Sequence, residues 1–325
     1  MAGSRKGGRK IAPATLHRNV STGVRAIIAP MKPFQSHFHD LRGIRVHVRE
    51  WGRPGAPMLL MLHGWSDVGA TFQFVIDAFE HDWHIVAPDW RGHGLSGRGD
   101  DAYWFANYMG DLDALLRLYS PDEPVRVVGH SMGGNVAHIY AGVRPERVRA
   151  LVTLESLARV DRPAEEAPDR YATWLDQLST RKAPRVYESV EALAVRLRRA
   201  NPRLSESRAR FMAQQYTEAD EAGGVRIAVE PAHRNVQPVM HRRAEAEACW
   251  RRITAPVLWL MQEGPHWQEI RGIDAAAWAH TKSCFANLRE AAIADCGHNM
   301  QHDQPERVAA QIEAFLADVA PYHAG

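Results

Sequence analysis

The sequence predicts an α/β fold: a mostly parallel central sheet with helices on both faces, and a block of helices inserted into it. Three observations carry this. Short apolar runs alternate with segments of helical spacing. The clearest of these runs are apolar at consecutive positions, as strands buried on both faces of a parallel sheet must be. The alternation then breaks from about residue 157 to 252 and resumes afterwards.

Taken in order, "IRVHVREWG" (44–52) alternates apolar and polar residues, the pattern of a half-buried strand. "APMLLMLHGW" (56–65) is a continuous apolar run ending at glycine, a buried strand. "TFQFVIDAFE" reads as a helix, "HIVAPDW" as the next strand, and "YWFANYMGDLDALLRLYS" as a helix with one apolar face. "VRVVGHS" and "VRALVTLES" are strands on either side of the helix "MGGNVAHIYAGV". Helical segments such as "YATWLDQLS", "VEALAVRLRRA", "ARFMAQQY" and "RRAEAEACWRRI" fill the inserted block, with little convincing strand. "APVLWLMQ", a helix near "DAAAWAHTKSC", "REAAIAD" and the helix "PERVAAQIEAFLADV" complete the alternation. The expected organisation is a basic, Gly-rich, disordered tail over 1–36, a first core part over 37–156, the helical insertion over 157–252, and a second core part over 253–325.

Composition narrows the function classes. A chain of 325 residues with 45% hydrophobic and 24% charged residues is an ordinary globular protein. A net charge of +2 speaks against a dedicated nucleic-acid binder, and no apolar run is long enough for a membrane span. The three cysteines, Cys249, Cys284 and Cys296, form no C-x-x-C pair, which suggests a reducing, cytoplasmic setting. Oligomeric state is not legible. There is no Walker loop, no H-E-x-x-H and no dinucleotide fingerprint. The pair His37 and His39 has no evident third ligand, so no metal is expected there.

The chemistry points to "VRVVGHSMGGNVA" (125–137). Gly129, Ser131 and Gly133 make G-x-S-x-G between a strand and a helix, the context in which a serine stands exposed at a sharp turn. A serine hydroxyl is a weak nucleophile and needs a base and oxyanion donors. The turn would put the N–H of Met132 at a helix N-terminus, where an anion is favoured.

Over about residues 40 to 320 the chain resembles the α/β-hydrolase fold family. "HGW" (His63–Trp65) follows the third strand, "DWRGHGLS" (Asp89–Ser96) the fourth and "GHSMGG" the fifth, and "CGHNMQHDQPERVAAQIEAFL" closes the chain. The resemblance implies a serine hydrolase, esterase-like, with a catalytic triad and a helical cap over the pocket. It makes Ser131 the nucleophile, His298 the general base, and the N–H groups of Trp65 and Met132 the oxyanion hole. His302 stands one turn too late for the base. His63, Asp89 and Arg91 read as loop braces.

The acid departs from the family pattern. The usual aspartate slot past the seventh strand falls on Pro265. Glu263 is two residues early, and Asp274 reads as a helix cap. Some members, haloalkane dehalogenases among them, carry the acid after the sixth strand, where "LVTLES" ends with Glu155. A carboxylate at the end of a buried run is costly unless paired, and His298 would pair it. Glu155 is therefore the expected acid, with Glu263 the alternative.

The resulting expectation is hydrolysis of an ester-type bond in a small acyl substrate through an acyl-enzyme, with no cofactor needed. Thioester, lactone or carbon–carbon bond hydrolysis are the other enzymatic readings, and a non-catalytic binder or scaffold the competing class. In this fold haloalkane and epoxide chemistry use an aspartate nucleophile, and Ser131 occupies that slot. In the insert, Trp174, Phe211 and Tyr216 read as cap core rather than pocket lining. Arg196, Arg198, Arg199, Arg208 and Arg210 read as a solvated helical face.

Overall fold

A computed structural model describes residues 31–99, 103–156, 161–180, 182–239, 241–264 and 274–320. Residues 1–30 of the expected tail and Pro265 lie outside the described residues. From Lys32 onward the chain forms one compact unit.

Eight strands form the central sheet: β1 (Phe34–Leu41), β2 (Ile44–Trp51), β3 (Met58–Leu62), β4 (His84–Pro88), β5 (Val125–His130), β6 (Val148–Leu154), β10 (Val257–Gln262) and β11 (Leu288–Ile293). Their order is β1-β2-β4-β3-β5-β6-β10-β11. Only the pairs β1–β2 and β2–β4 are antiparallel. β1 starts at Phe34, inside the stretch read as tail, because residues 44–51 give it a full antiparallel partner. The runs read as doubly buried strands are so: every residue of β5 is buried, and four of five in β3 and β4.

Two apolar layers sandwich the sheet. On one face Leu112, Val136, Tyr140 and Trp250 come from α2 (Phe105–Tyr119), α3 (Met132–Val143) and α7 (Arg243–Trp250). On the other, Val75, Ile76, Ile312 and Phe315 come from α1 (Gln73–Ala78) and the final helix Pro305–Val319. β4 lies on one side of β3 and β5 on the other, so the chain reverses its winding direction at β3. In an open α/β sheet that switch point opens a crevice at the carboxyl ends of the strands. Here those ends carry Gly64 and Ser131.

Between β6 and β10 lie α4 (Ala167–Ser179), α5 (Val190–Ala200), α6 (Glu206–Tyr216) and α7. The sequence reading missed a small antiparallel sheet, β7 (Val186–Tyr187), β9 (Val225–Ile227) and β8 (Thr217–Ala219), in that order. Strands of two or three residues carry too little period to stand out in a sequence. α7 falls within the span read as insert, yet it packs on α3. A Cβ on Gly142 would stand 1.9 Å from the Cys249 carbonyl oxygen. The α5–α6 hairpin has its own core of Leu193, Leu204, Ala209, Met212 and Ala213, which continues onto Val68 and Ala70 of the central domain.

Candidate active site

Ser131 stands between β5 and α3 with φ 49° and ψ −112°, a conformation that L-residues adopt only where the surroundings enforce it. The flanking glycines allow the turn. A Cβ on Gly129 would lie 2.5 Å from the Gly134 Cα, and one on Gly133 would lie 2.3 Å from the Leu62 carbonyl oxygen. The strand, the helix and the end of β3 therefore meet at backbone contact. Met132 is the first residue of α3, so its N–H is one of the donors that the helix cannot satisfy internally.

The loop after β3 arrives from one side. A Cβ built on Gly64 would stand 3.3 Å from the Ser131 Cβ, so this backbone lies against the serine. The buried His63 braces it. Its Nδ1–H donates to the Gly64 carbonyl (2.7 Å), and its Nε2 accepts from the Trp90 N–H (2.9 Å). The Trp90 indole N–H donates to the His63 carbonyl (2.9 Å). His93 accepts from the Ser66 N–H at Nε2 (3.3 Å) and donates from Nδ1 to the Arg91 carbonyl (3.1 Å). Burial lowers the pKa of both imidazoles, His93 well below the usual value, so both hold these bonds as neutral rings. Asp89 accepts from His47 (2.8 Å), Gly69 N–H (2.8 Å) and Leu95 N–H (3.0 Å), and Arg91 grips Asp111 with two nitrogens (2.5 and 2.6 Å). These residues brace loops, as their positions suggested. The Trp65 side chain is 50% exposed and free to face a bound molecule.

The loop after β11 arrives from the other side. His298 Nε2 lies 3.0 Å from Ser131 Oγ, and its Nδ1 lies 3.6 Å from Glu155 Oε2. The imidazole is 45% exposed and the carboxylate 2%. Glu155 follows β6 directly, with φ 50°, and its Oε1 accepts from the Gln262 N–H at the end of β10 (2.7 Å). Glu263 is exposed, and its N–H donates to the Ile293 carbonyl (2.9 Å). Asp274 caps the helix Ala275–Ser283, accepting from the Ala277 N–H (2.7 Å). Of the two glutamates, the structure brings Glu155 behind the imidazole.

Several buried polar groups at this site were not singled out from sequence. His130, between Gly129 and Ser131, donates from Nε2 to the His298 carbonyl (2.9 Å), and its Nδ1 accepts from the Gln301 amide (3.2 Å). Burial, with His298 nearby, pushes the His130 pKa down to about 3. Asp67 accepts from Thr71 Oγ1 (2.7 Å), Val68 N–H (2.8 Å) and Tyr216 OH (2.8 Å) of α6. His302 faces Asp67 across 3.5 Å and does not reach toward Ser131 as a base. Burial alone would raise the Asp67 carboxyl, but the facing His302 holds it below the usual range. Of these residues only His130 sits where an apolar strand run ends; Asp67 and His302 lie several residues past β3 and β11.

The insert aromatics divide. Tyr216 is buried in the hairpin core with its hydroxyl on Asp67, Phe211 packs on Phe74 (5.4 Å), and Trp174 meets Trp104 (6.5 Å). Arg196, Arg198 and Arg199 are exposed. Among the described residues, one group has metal-ligand proximity: Glu247, His280 and Cys284. Its carboxylate is already held by Arg243 (2.9 Å) and Arg251 (3.1 Å), and two guanidiniums oppose a dication there. His37 and His39 share a face, but His39 is bonded to Tyr119 OH (2.9 Å), and His37 faces Glu50 at 3.6 Å.

Comparison with known proteins identifies the fold family. Residues 57–305 match the family model described as alpha/beta hydrolase fold. The chain is 26% identical over 305 residues to a serine hydrolase-like protein of Danio rerio, covering 87% of this chain and 86% of that protein. It is 26% identical over 284 residues to the 2-(acetamidomethylene)succinate hydrolase of Mesorhizobium japonicum, covering 87% and 95%. Among solved structures, a thioesterase domain from the curacin biosynthetic pathway superposes with a TM-score of 0.79 at 25% identity, over 87% of this chain and 99% of that one. No helix of the described residues is long and apolar enough to cross a membrane.

Proposed function

The chain belongs to the α/β-hydrolase fold family, and on that premise we propose that it is a serine hydrolase cleaving an ester-type bond of a small acyl substrate through an acyl-enzyme. The observation that carries this is the 3.0 Å approach of His298 Nε2 to Ser131 Oγ at a strained strand–helix turn. That is hydrogen-bond reach between a hydroxyl and a base, the first requirement for activating it.

In this reading His298 Nε2 takes the Ser131 proton as Oγ bonds to the substrate carbonyl carbon. Glu155 Oε2 faces Nδ1 at 3.6 Å, favours the tautomer with its proton on Nδ1, and stabilises the imidazolium. The N–H groups of Trp65 and Met132 receive the oxyanion, each worth about 2.7–4 kcal/mol of barrier in comparable sites. Collapse of the tetrahedral intermediate expels the alcohol, which takes its proton from His298. Water then attacks the acyl carbon, giving its proton to His298, and Ser131 leaves with that proton. Every step moves a proton between the imidazole and Oγ, the leaving alcohol or the attacking water. The segment between β6 and β10 serves as the cap.

A thioester substrate is the second reading, favoured by the similarity to the curacin thioesterase domain. The same residues would perform it, with a thiol as leaving group. One experiment separates catalysis from mere binding: treat the protein with a serine-directed phosphonate, map the modified residue, and assay short-chain nitrophenyl esters and acyl thioesters. Modification at Ser131, with turnover that Ser131→Ala abolishes, is expected. Neither labelling nor turnover would favour a non-catalytic ligand binder of the same fold.

A further inference from the structure

Two of the contacts on the loop that carries His298 flank the imidazole. His130 fixes the carbonyl side of residue 298 from within the core. The residue before it is held differently: the Gly297 N–H donates to Asp303 Oδ2 (2.9 Å). The other carboxylate oxygen of Asp303 accepts from the Asn201 side-chain amide (2.6 Å). Asn201 belongs to the insert, where it is the C-cap of α5. A buried carboxylate thus joins the insert to the peptide that immediately precedes the imidazole, through two hydrogen bonds.

The surroundings make this link stiff. The α5–α6 hairpin shares an apolar core with Val68 and Ala70 of the central domain. Arg208 of α6 donates to the His302 carbonyl (3.3 Å) and to Glu306 (2.9 Å), on the same stretch of chain as Asp303. Tyr216 adds a bond to Asp67, which faces His302. Four contacts from one hairpin therefore converge on the base loop and its neighbour. A segment that merely opened and closed over a pocket would be expected to meet the core through few buried apolar contacts.

We propose that the α5–α6 hairpin is a fixed brace of the base loop, and that Asn201 and Asp303 are positioning residues holding the Gly297 N–H, and so the His298 imidazole, in register with Ser131. The proposal rests on the reading of His298 as base.

The pair allows a donor–acceptor exchange. N201D alone sets two carboxylates face to face, whereas D303N alone sets two amides face to face, which stay bonded if the Asn201 amide turns over and gives up the Arg203 N–H that its Oδ1 accepts (3.2 Å). Combined, N201D with D303N restores both hydrogen bonds with the roles swapped and the charge conserved. The measurement is the rate of phosphonate labelling at Ser131, with kcat, KM and Tm for each variant. N201D should slow labelling and lower kcat about tenfold with KM little changed, since small displacements of a reacting group cost that much or more, and D303N should do so less. The combined variant should recover to within about threefold of the wild type. An N201D variant that labels at the wild-type rate would overturn the proposal. So would a combined variant as slow as N201D, or a set in which labelling follows Tm alone. If a single variant fails to fold, recovery in the exchange against its absence in Asn201→Ser still decides. A wild type that does not label at all would instead overturn the parent reading, and this one with it.

Discussion

The loop from His63 to Asp67 and the loop from Cys296 to Asp303 both arrive at Ser131, and they are secured by different chemistry. The first is pinned by neutral, fully buried imidazoles of the core: His63 to Gly64 and Trp90, His93 to Ser66. Asp67 turns the loop back on itself through Val68 and Thr71 before the insert adds Tyr216. The second is held from the core by His130, on the His298 carbonyl and the Gln301 amide, and from the insert by Asn201 through Asp303 and by Arg208 on the His302 carbonyl. On the proposed function the difference follows from task. Oxyanion donors must not move during reaction, because their value lies in being oriented in advance. A base exchanges protons with solvent and substrate, and His298 is correspondingly the half-exposed member of the site.

The largest expected effect probes the carboxylate behind the second loop. Glu155→Gln should lower kcat about 10³- to 10⁴-fold, while Glu263→Gln should change it less than about twofold. Steady-state kinetics on both variants decides the matter, and a collapse confined to the second would move the acid to Glu263. The next effect probes the first loop. Gly64→Ala would drive a methyl to within 2.7 Å of His130 Nδ1 and push the backbone away from Ser131. A loss of about 10²-fold in kcat is expected, part of it through His130, which holds the His298 carbonyl. A kcat at the wild-type level would mean that this backbone does not receive the oxyanion.

The smallest effect concerns pH and stability. His63, His93 and His130 have folded pKa values below the unfolded value, His130 at about 3. As pH falls below about 6.5 the unfolded chain takes up protons that the folded one refuses, so stability declines until the folded pKa is reached. Each such histidine contributes about 1.4 kcal/mol per pH unit within that window. Urea melts between pH 7 and pH 4 should show this slope, reduced by about one proton in His130→Gln. A flat profile would mean that these rings are charged or solvated in the folded state, and that both loops are held otherwise.

Much of this was legible in the chain. The run "VRVVGHSMGG" foretold a strand, a strained turn and a helix, since its glycines are required by backbone contacts at distances set by covalent geometry. Glu155 could be nominated because it ends a buried strand, where a charge demands a partner, at the slot that some members of the family resembled use for the acid. The short strands β7 to β9 were not legible, nor was the docking of α7 on α3, for want of period and of any local mark of which surface a helix covers. The roles of His130, Asp67, Asp303 and Asn201 were equally hidden. Each depends on what lies across the gap, from 102 positions away for Asn201 and Asp303 to 168 for His130 and His298.

The sequence by itself therefore determined the strand–helix order, the sharp turn at Ser131 and the kinds of side chain available at the sheet's carboxyl edge, because propensity, periodicity and glycine sterics act over a few neighbouring residues. Only the tertiary structure decided which carboxylate stands behind His298, and which part of the insert holds the loop that bears it. Those are relations between surfaces brought together by the winding of the sheet, and hydrogen bonds across such contacts leave no pattern along the chain.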